Sequence, residues 1–337
     1  MKSKLNWGIL STGNIAAKFA QGVLDSKTGQ LTAVASRSLA SAKKFAGQYK
    51  VPQAYGSYSE ILKDPQIEAV YIGTPHPFHA QWAIAAAKAG KHILCEKPLA
   101  MNSAEAKKII RAAKRHKVFL MEAFMYRCHP QTDKVAELIR KGVIGKVRHI
   151  QGSFCLNRPY DPKGRLFNPE LGGGAILDIG CYPASFSRLV AGAAQGKAFI
   201  EPVKVEGRGR IGLSGVDEWS SATLKFKGGI TAELLCSVRF AEETRARVLG
   251  SKGSIFMTTP WRPADSGVFI QKSQEKQPKE IRIKIDRGIY AWEADTVAHC
   301  IRSGKLESTA MSWNDTLGNM KLLDSWFRAV KKSAVKK

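Results

Sequence analysis

The sequence lacks the features that mark membrane, exported and metal-binding proteins. No apolar run in its 337 residues approaches the ~18 residues needed to span a bilayer. The start MKSKLNWGILSTG has no apolar core followed by a small-residue cleavage site, as a secretory signal would. The six cysteines form no CxxC pair and no zinc-like spacing, which favours reduced thiols. These absences predict a cytoplasmic protein with no membrane partner and no metal.

Acidic residues are scarce relative to basic ones, a bias that can mark a nucleic-acid binder. Lys and Arg number 53 against 28 Asp and Glu, a formal net charge of +25. The excess is spread along the chain, with +11 in residues 1–125 and +14 in residues 126–337. The densest basic runs, 107–117 and 331–337, are not interleaved with the aromatics of a single-strand platform. We therefore expect a solvated basic surface and no nucleic-acid partner, with attraction of an acidic substrate or polyanion as the alternative.

The first 125 residues alternate short apolar runs with helical stretches. The apolar runs are 5–10, 31–36, 68–73, 91–96 and 118–123. Runs without strict polar alternation, each separated by a helix, indicate a parallel sheet covered on both faces. The predicted fold class is therefore α/β, with a doubly wound Rossmann domain over residues 1–124 that binds a dinucleotide.

The pattern changes after residue 124. Helical patterns cover 130–142, 171–192, 289–304 and 315–332. A half-buried strand is predicted at 147–156, and the alternating segments from about 200 to 286 predict long antiparallel strands of one sheet. The second predicted domain, residues 125–337, is an α/β domain with a large open, mostly antiparallel sheet for substrate binding and dimerisation. An alternative prediction for its closing helices is that they pack back on the first domain.

The segment GILSTGNIA lies between the first apolar run and the first helix. A bound pyrophosphate needs a tight turn there, whose backbone lets it approach the helix N-terminus. The usual G-x-G-x-x-G/A pattern reads here as Ser11, Gly13 and Ala16. The predicted dinucleotide contacts in this turn are Ser11, Thr12, Gly13, Asn14 and Ile15.

The end of the second apolar run decides which dinucleotide is expected. NAD sites place Asp or Glu there, whereas this chain has Ser36, Arg37 and Ser38. A guanidinium can stack on adenine and hydrogen-bond a 2′-phosphate, and the serines add donors. We expect NADP as the cofactor, with NAD possible but weaker. The alternative is that Arg37 is only a surface residue before the next helix, which Ser38 would cap.

Two further stretches carry candidate catalytic residues. Lys97 follows the run 91–96, and a lysine facing a cleft there would have its pKa lowered by desolvation. The alternative is an ordinary charge at a strand end. Asp178 and Tyr182 are four residues apart in GGGAILDIGCY, so a helix would place them on one face. The alternative there is a helix N-terminus with an aromatic packed in the interface.

Together these motifs resemble a known family. The segments GILSTGNIA, TPHPFHAQWAIAAAKAGKHILCEKPLA, MEAFMYRCHPQ and NPELGGGAILDIGCY are similar to those of the glucose–fructose oxidoreductase, inositol dehydrogenase and rhizopine-catabolism (Gfo/Idh/MocA) family. The resemblance covers nearly the whole chain. The variants MEAFMYRCHPQ and DIGCY resemble the branch that contains dimeric dihydrodiol dehydrogenases and NADP-dependent D-xylose dehydrogenases.

The resemblance implies roles for particular residues. Lys97 would be the catalytic lysine, Asp178 its partner, and Tyr182 would stand where many relatives have His. Ser11 departs from the glycine that is commonest at its position. The segments TPxxxH and EKP add Thr74, Pro75, His76, His79, Glu96 and Lys97 to the implied cofactor contacts.

The resulting prediction is reversible NADP-linked oxidation of a hydroxyl on a pyranose sugar. Tyr182 would accept the proton, since a neighbouring Lys97 ammonium would lower the phenol pKa from about 10. The alternative makes Lys97 the base, with Tyr182 only orienting the substrate. Competing functions are a trans-dihydrodiol dehydrogenase acting on cyclic diols and an NADP-binding regulator without turnover. Retention of all three candidate catalytic residues argues against the regulator.

The substrate contacts are predicted from position alone. A sugar would favour polar contacts, whereas Phe154, Phe167 and Trp261 could equally hold a cyclic diol. The predicted substrate-binding residues are Met125, Arg127, Phe154 and Arg165.

A homodimer or larger homo-oligomer is also predicted. Segments 218–226 and 230–240 contain apolar residues on both alternating sets, so a sheet covered by helices on one face only would leave a broad apolar surface exposed to water. Pairing two copies of that face is the simple two-fold solution, and the family resemblance points the same way. The alternative is a monomer in which the closing helices cover the second face.

Overall fold

The computed structural model describes residues 3–265 and 267–334. The chain forms two compact units, each described by itself below. The first unit takes in the chain up to His129 together with Asp286–Leu317. The second takes in Pro130–Ile285 together with the chain from Gly318 onward.

The first unit is built on a six-stranded parallel sheet with the order β3-β2-β1-β4-β5-β6. Its strands are β1 (Leu5–Leu10), β2 (Gly29–Ala35), β3 (Gln53–Tyr55), β4 (Ala69–Ile72), β5 (His92–Glu96) and β6 (Leu120–Ala123). The order reverses between β1 and β4, which opens a crevice at the carboxyl ends of those strands. The doubly wound α/β prediction is confirmed. Strand β3 was not predicted, because its three residues carry no apolar run.

Helices cover both faces of this sheet. They are α1 (Asn14–Asp25), α2 (Leu39–Tyr49), α3 (Tyr58–Lys63), α4 (His79–Lys88), α5 (Ser103–Arg115) and α8 (Ile289–Arg302). Local signals begin several of them: Ser38 accepts from the backbone of Ser41, as predicted, and Ser57 forms a capping box with Glu60. Short 3₁₀ turns lie at His76–Phe78 and Met125–Cys128.

The second unit is built on an eight-stranded sheet with the order β14-β13-β12-β11-β7-β10-β9-β8. Its strands are β7 (Val147–Cys155), β8 (Pro202–Ile211), β9 (Asp217–Phe226), β10 (Thr231–Ser237), β11 (Ala246–Gly250), β12 (Gly253–Met257), β13 (Val268–Lys272) and β14 (Lys279–Ile281). Neighbours pair antiparallel except β7 and β10, which run parallel. The mostly antiparallel open sheet is therefore confirmed.

Helices of the second unit pack on one face of that sheet. They are α6 (Pro130–Arg140), α7 (Cys181–Ala193) and α9 (Trp313–Ala334), which begins in the first unit. A Cβ at Gly152 of β7 would lie 2.8 Å from Pro183 Cβ of α7. The Trp326 indole of α9 donates to Ser220 Oγ of β9 at 2.7 Å. Close approach of α7 and α9 therefore requires small residues on this face.

In β9 and β10 the face of the sheet opposite the helices is mostly polar, which corrects one expectation. In β9 and β10 the apolar side chains share the helix-covered face, where Leu224 and Leu234 are buried. The expectation of a broad apolar surface on this face was wrong, because the alternate positions include only two apolar residues and are otherwise polar or charged. Those positions are Trp219, Ser221, Thr223 and Lys225 in β9, and Thr231, Glu233 and Leu235 in β10.

Two further features of the described residues concern apolar helices and cysteines. Within residues 3–265 and 267–334, no helix is both long and apolar enough to cross a membrane. All six cysteines are buried free thiols.

Two helical glycines of the first unit give opposite predictions for stability. A Cβ at Gly22 of α1 would overlap Tyr290 Cβ and lie 2.8 Å from the Tyr290 carbonyl carbon of α8. Gly22→Ala should therefore lower the free energy of unfolding by roughly 1–3 kcal/mol, as overpacking does. Gly47 of α2 has no atom within 4 Å of such a Cβ, so Gly47→Ala should raise it by up to about 1 kcal/mol. Urea denaturation of both variants measures the contrast, and equal effects would contradict it.

Candidate active site

The predicted cofactor residues gather at one edge of the first unit. Ser11 to Ile15 follow β1, Ser36 to Ser38 follow β2, and Thr74 to His79 follow β4. Glu96 ends β5 and Lys97 comes next. Because these strands are parallel, all four groups lie at the carboxyl edge, where open α/β sheets bind ligands.

The turn after β1 keeps the form of a dinucleotide loop despite its serine. Ser11 has φ 119°, in the region that favours glycine, and its hydroxyl accepts from the Gly13 backbone N–H at 3.1 Å. Gly13 is the N-cap of α1, with no side-chain cap and no acidic residue in the first turn. The first N–H groups of α1 are therefore free of a side-chain anion, which fits a pyrophosphate.

The ends of β2 and β4 lie next to this dinucleotide turn. The Thr12 hydroxyl lies 3.5 Å from Ser36 Oγ, which links the ends of β1 and β2. A Cβ at Gly73, just after β4, would lie 2.9 Å from the Tyr71 ring and 3.4 Å from Ile15 Cγ2. A side chain at position 73 would thus fill the crevice between β1 and β4.

Arg37 lies exposed at the end of β2, beside an aromatic pair. Burial raises the pKa of Tyr58 in α3, and the positive charge of Arg37 opposes that rise. Tyr58 packs edge-on against Trp82 of α4, with ring centroids 5.0 Å apart. The sequence analysis missed Tyr58 and Trp82, because nothing local connects α3 and α4 to the end of β2. Arg37, Tyr58 and Trp82 together offer a cation and π surfaces suited to an adenine.

His79 joins the ends of β4 and β5. It is fully buried, with Nε2 at 2.8 Å from the Thr74 carbonyl oxygen and Nδ1 at 3.0 Å from that of Pro98. Two carbonyl oxygens would favour a doubly protonated ring. Burial and the Lys97 ammonium oppose this and lower the His79 pKa to about 4. A neutral ring donates to one of the two oxygens, so His79 serves as a structural joint next to Lys97.

Glu96 fixes the backbone that presents Lys97. The Tyr71 hydroxyl of β4 donates to Glu96 Oε1 at 2.6 Å, and the Lys97 backbone N–H donates to Glu96 Oε2 at 3.2 Å. Glu96 is buried, whereas Lys97 is partly exposed. The carboxylate is held from two sides, so the chain leaves β5 in one direction and carries the lysine to the carboxyl edge.

A second buried carboxyl group, Glu293 of α8, lies within electrostatic range of Glu96. Its side chain is fully buried, and neither oxygen has a hydrogen-bond partner among the described residues. Burial and the Glu96 charge raise the Glu293 pKa well above its usual range. Burial, Glu96 and Glu293 likewise raise the Tyr71 pKa, which keeps that hydroxyl a donor. Sequence reasoning missed Glu293 because it lies about 200 residues from Glu96.

Two predicted substrate residues lie in the 3₁₀ turn Met125–Cys128 of the first unit. Met125 is buried, and Arg127 Nη2 pairs with Asp315 Oδ2 at 2.7 Å. Burial acts to lower the Arg127 pKa, but Asp315 outweighs it and raises the pKa above its usual value. The Asp315 carboxylate therefore binds one end of the Arg127 guanidinium. A substrate role for Met125 and Arg127 stays a prediction.

In the second unit, Asp178 and Tyr182 lie where a π-helical turn, Ile176–Gly180, meets α7. The predicted helix is present, but it starts as a wider turn than an α-helix. Asp178 is buried, and its Oδ1 accepts from Arg165 Nη1 at 2.9 Å. The Arg165 side chain is 43% exposed, so the pair combines a held carboxylate with an accessible cation.

Tyr182 belongs to an aromatic cluster in the same unit. Its ring lies 5.4 Å from Phe154 and 5.9 Å from Trp261, centroid to centroid. The Trp261 indole donates to the Ser153 carbonyl at 2.9 Å, which fixes that ring against β7. Phe167 packs elsewhere, against Tyr160 at 5.2 Å. The structure therefore brings together Phe154, Tyr182 and Trp261, three of the residues singled out in the sequence.

A Rossmann unit with a pyrophosphate turn and a second unit with an open sheet define a dinucleotide-dependent oxidoreductase. Residues 5–124 match the oxidoreductase family with an NAD-binding Rossmann fold, GFO/IDH/MocA. Residues 132–256 match the GFO/IDH/MocA C-terminal domain. The chain belongs to this family and is an NAD(P)-binding oxidoreductase.

Individual relatives agree with that assignment. The chain is 37% identical over 316 residues to a trans-1,2-dihydrobenzene-1,2-diol dehydrogenase of Xenopus laevis, which covers 92% of this chain and 93% of the relative. An aldose–aldose oxidoreductase from Caulobacter crescentus, solved with glycerol, superimposes with a TM-score of 0.87 at 25% identity, covering 98% of each chain. A 3-ketoreductase from Actinomadura kijaniata, solved with NADP and TDP-benzene, has a TM-score of 0.85 at 27% identity, also over 98% of each chain.

Proposed function

We propose that this protein is an NADP-dependent dehydrogenase acting on a hydroxyl of a pyranose sugar. The observation that carries the proposal is the carboxyl edge of the first unit, where the uncapped N-terminus of α1, Arg37 and Lys97 lie on one sheet. The first unit would bind the dinucleotide and the second unit the substrate. The solved aldose–aldose oxidoreductase supports the sugar, as does the polar Arg165–Asp178 pair.

The choice of NADP rests on the end of β2. The pair Ser36 and Arg37 offers a hydroxyl and an exposed guanidinium, where a carboxylate would repel a 2′-phosphate. Arg and Lys bind phosphate because a charge-assisted hydrogen bond is stronger than a neutral one. The solved 3-ketoreductase relative contains NADP, which supports the same choice.

The reaction needs a hydride acceptor and a proton acceptor. When bound, the nicotinamide supplies the hydride chemistry. We assign the proton to Tyr182, which would take it from the reacting hydroxyl, while Lys97 supplies positive charge that favours the phenolate. Asp178, held by Arg165, would bind a substrate hydroxyl or Lys97. Structures of the 3-ketoreductase with a lysine or a tyrosine replaced single out the same two residue types.

A second candidate is oxidation of a cyclic diol. The cluster of Phe154, Tyr182 and Trp261 offers flat apolar surface that would accept such a ring. The diol dehydrogenase of Xenopus laevis, at 37% identity, favours the same substrate class. A panel of aldoses and cyclic trans-diols, with reduced nicotinamide followed by absorbance, separates the two candidates. Turnover of neither class would contradict both.

We also propose that the protein is a cytoplasmic homodimer or larger homo-oligomer. In β8 to β10 the face opposite the helices carries both signs of charge, including Glu206, Arg208, Arg210 and Glu233. Such a face can pair with a second copy about a two-fold axis, each sign meeting its opposite. The six free thiols fit a reducing compartment.

The assembly predicts a mass of at least twice the chain's 36.9 kDa in light scattering after size exclusion. Because exposed charges would contribute to the interface, dissociation should become easier as salt rises. A single species at the chain mass in low and in moderate salt alike would rule the assembly out.

The cofactor assignment predicts the effect of Arg37→Asp. Loss of a charge-assisted hydrogen bond, with repulsion added, should weaken NADP binding by roughly 1.5–3 kcal/mol or more. NAD binding should change much less, because NAD has no 2′-phosphate. Fluorescence titration of both dinucleotides measures this, with Arg111→Asp, an exposed position on α5, as a matched control. Tighter binding of NAD than NADP by the unmodified protein would overturn the assignment.

The catalytic assignment predicts the behaviour of Lys97→Met and Tyr182→Phe. Each should lower kcat by about 100- to 10,000-fold, the usual contribution of general acid–base catalysis, and leave NADP affinity within a few-fold. If both act in one proton transfer, the double variant should be little worse than the worse single variant. A fully active Tyr182→Phe enzyme would exclude the phenol as the base and leave Lys97.

A further inference from the structure

Asp217, the first residue of β9, is a buried carboxylate in the second unit. It lies against the glycine-rich loop, residues 172–174, which precedes the π-helical turn Ile176–Gly180. Its side chain is 2% exposed, and Oδ2 accepts from the Ile176 backbone N–H at 2.7 Å. The backbone N–H groups of Ala175 and Asp217 also favour its charged form. A carboxylate from a distant strand therefore caps the start of the π-helical turn Ile176–Gly180.

The loop is shaped to admit this carboxylate. Gly174 has φ 118°, and a Cβ built there would overlap Asp217 Oδ1. Glycine is therefore required at position 174 both by backbone conformation and by the approach of the carboxylate. Ala175, the N-cap residue of the turn, makes no side-chain cap of its own, so Asp217 supplies the missing acceptor.

The other end of the turn is held by packing. A Cβ at Gly180 would lie 3.0 Å from Cys236 Sγ of β10 and 3.2 Å from the Trp326 ring of α9. The turn is thus fixed between a carboxylate at its first residues and a close contact at its last. Asp178 lies between these two anchors, and Tyr182 comes two residues after the second one.

We propose that Asp217 is a positioning residue, which sets the placement of Asp178 and Tyr182 by capping the turn that carries them. This inference rests on the proposed catalytic roles of those two residues. An ionised carboxylate accepts stronger hydrogen bonds from backbone N–H groups than a neutral carboxyl or amide does. The placement should therefore depend on the charge of Asp217 as well as on its presence.

The surroundings of Asp217 set the pH range of this effect. Burial raises its pKa to about 7, with the three backbone N–H groups acting in the opposite direction. The titratable group that faces it from a packed element is the Cys236 thiol of β10, whose own pKa is raised well above its usual range by burial and by Asp217. That thiol stays neutral near pH 7, so Asp217 is the group that changes charge there.

The first test compares Asp217→Asn and Asp217→Ala with the unmodified enzyme. The Asp217→Ala variant loses the acceptor and leaves a buried N–H unpaired, so its kcat should fall about 10-fold or more. The kcat of Asp217→Asn should fall less, because the amide oxygen can still accept. The KM for NADP should stay within a few-fold for both. Asp25→Asn, an exposed carboxylate at the end of α1, is the matched control and should keep full activity.

The pH profile separates positioning from simple stabilisation. Asparagine resembles the protonated acid, so wild type and Asp217→Asn should have similar kcat below pH 6. The wild-type advantage should then rise through about pH 7, where Asp217 ionises. Titrations shared by both enzymes cancel in this ratio. A flat ratio from pH 6 to 8, measured well below the unfolding temperature, would overturn the proposal.

Hydrogen exchange tests the same point without activity, and remains informative if Asp217→Ala does not fold. In the unmodified protein, amides of residues 175–180 should become more protected above pH 7, after correction for the intrinsic exchange rate. In Asp217→Asn they should exchange faster than in wild type at pH 8, and equal protection there would contradict the capping role. If these results hold while Lys97→Met and Tyr182→Phe stay fully active, the proposed function fails and the capping itself stands.

Discussion

The arrangement of the first unit depends on the pairing of β1 with two neighbours at once. β1 pairs parallel to β2 on one side and to β4 on the other, with its last four residues buried. The winding of the chain reverses at this strand, so the loops that leave β1 and β4 diverge and a crevice opens between them. The dinucleotide turn, Arg37 and Lys97 all occupy the edge that this pairing creates. A change in the register of β1 against β2 and β4 would therefore disturb the placement of all three groups.

Local patterns were sufficient to predict most of this architecture. Apolar runs located five of the six parallel strands, the Ser38 cap was recognised from its position, and the pyrophosphate turn was recognised although Ser11 replaces a glycine. Each of these signals lies within a few residues of what it determines. β3 was missed because a three-residue edge strand has too short a pattern. The polar face of the second sheet was misjudged, because Trp219 and Leu235 are apolar exceptions in otherwise polar sets.

The contacts that sequence reasoning missed are all long-range. Asp217 caps a turn about 40 residues earlier, Glu293 lies near Glu96, and Asp315 pairs with Arg127. A carboxylate inside a helical or strand pattern normally predicts a solvated position, since burial of an unpaired charge is costly. In this protein three carboxyl groups are buried near candidate site residues, as expected where function overrides local rules. The burial of these acids is set by tertiary packing, so no local sequence pattern predicts it.

The first unit is discontinuous in sequence, and this has a consequence for how the protein is made. Its parallel sheet is complete once residue 129 has been synthesised, but α8, which covers α1 and contributes Glu293, comes from Asp286–Leu317. About 156 residues of the second unit must leave the ribosome first. During that interval the face of α1 around Gly22 is open to water or to a chaperone, so the nascent chain carries an incomplete nucleotide-binding unit until Asp286–Leu317 has been made.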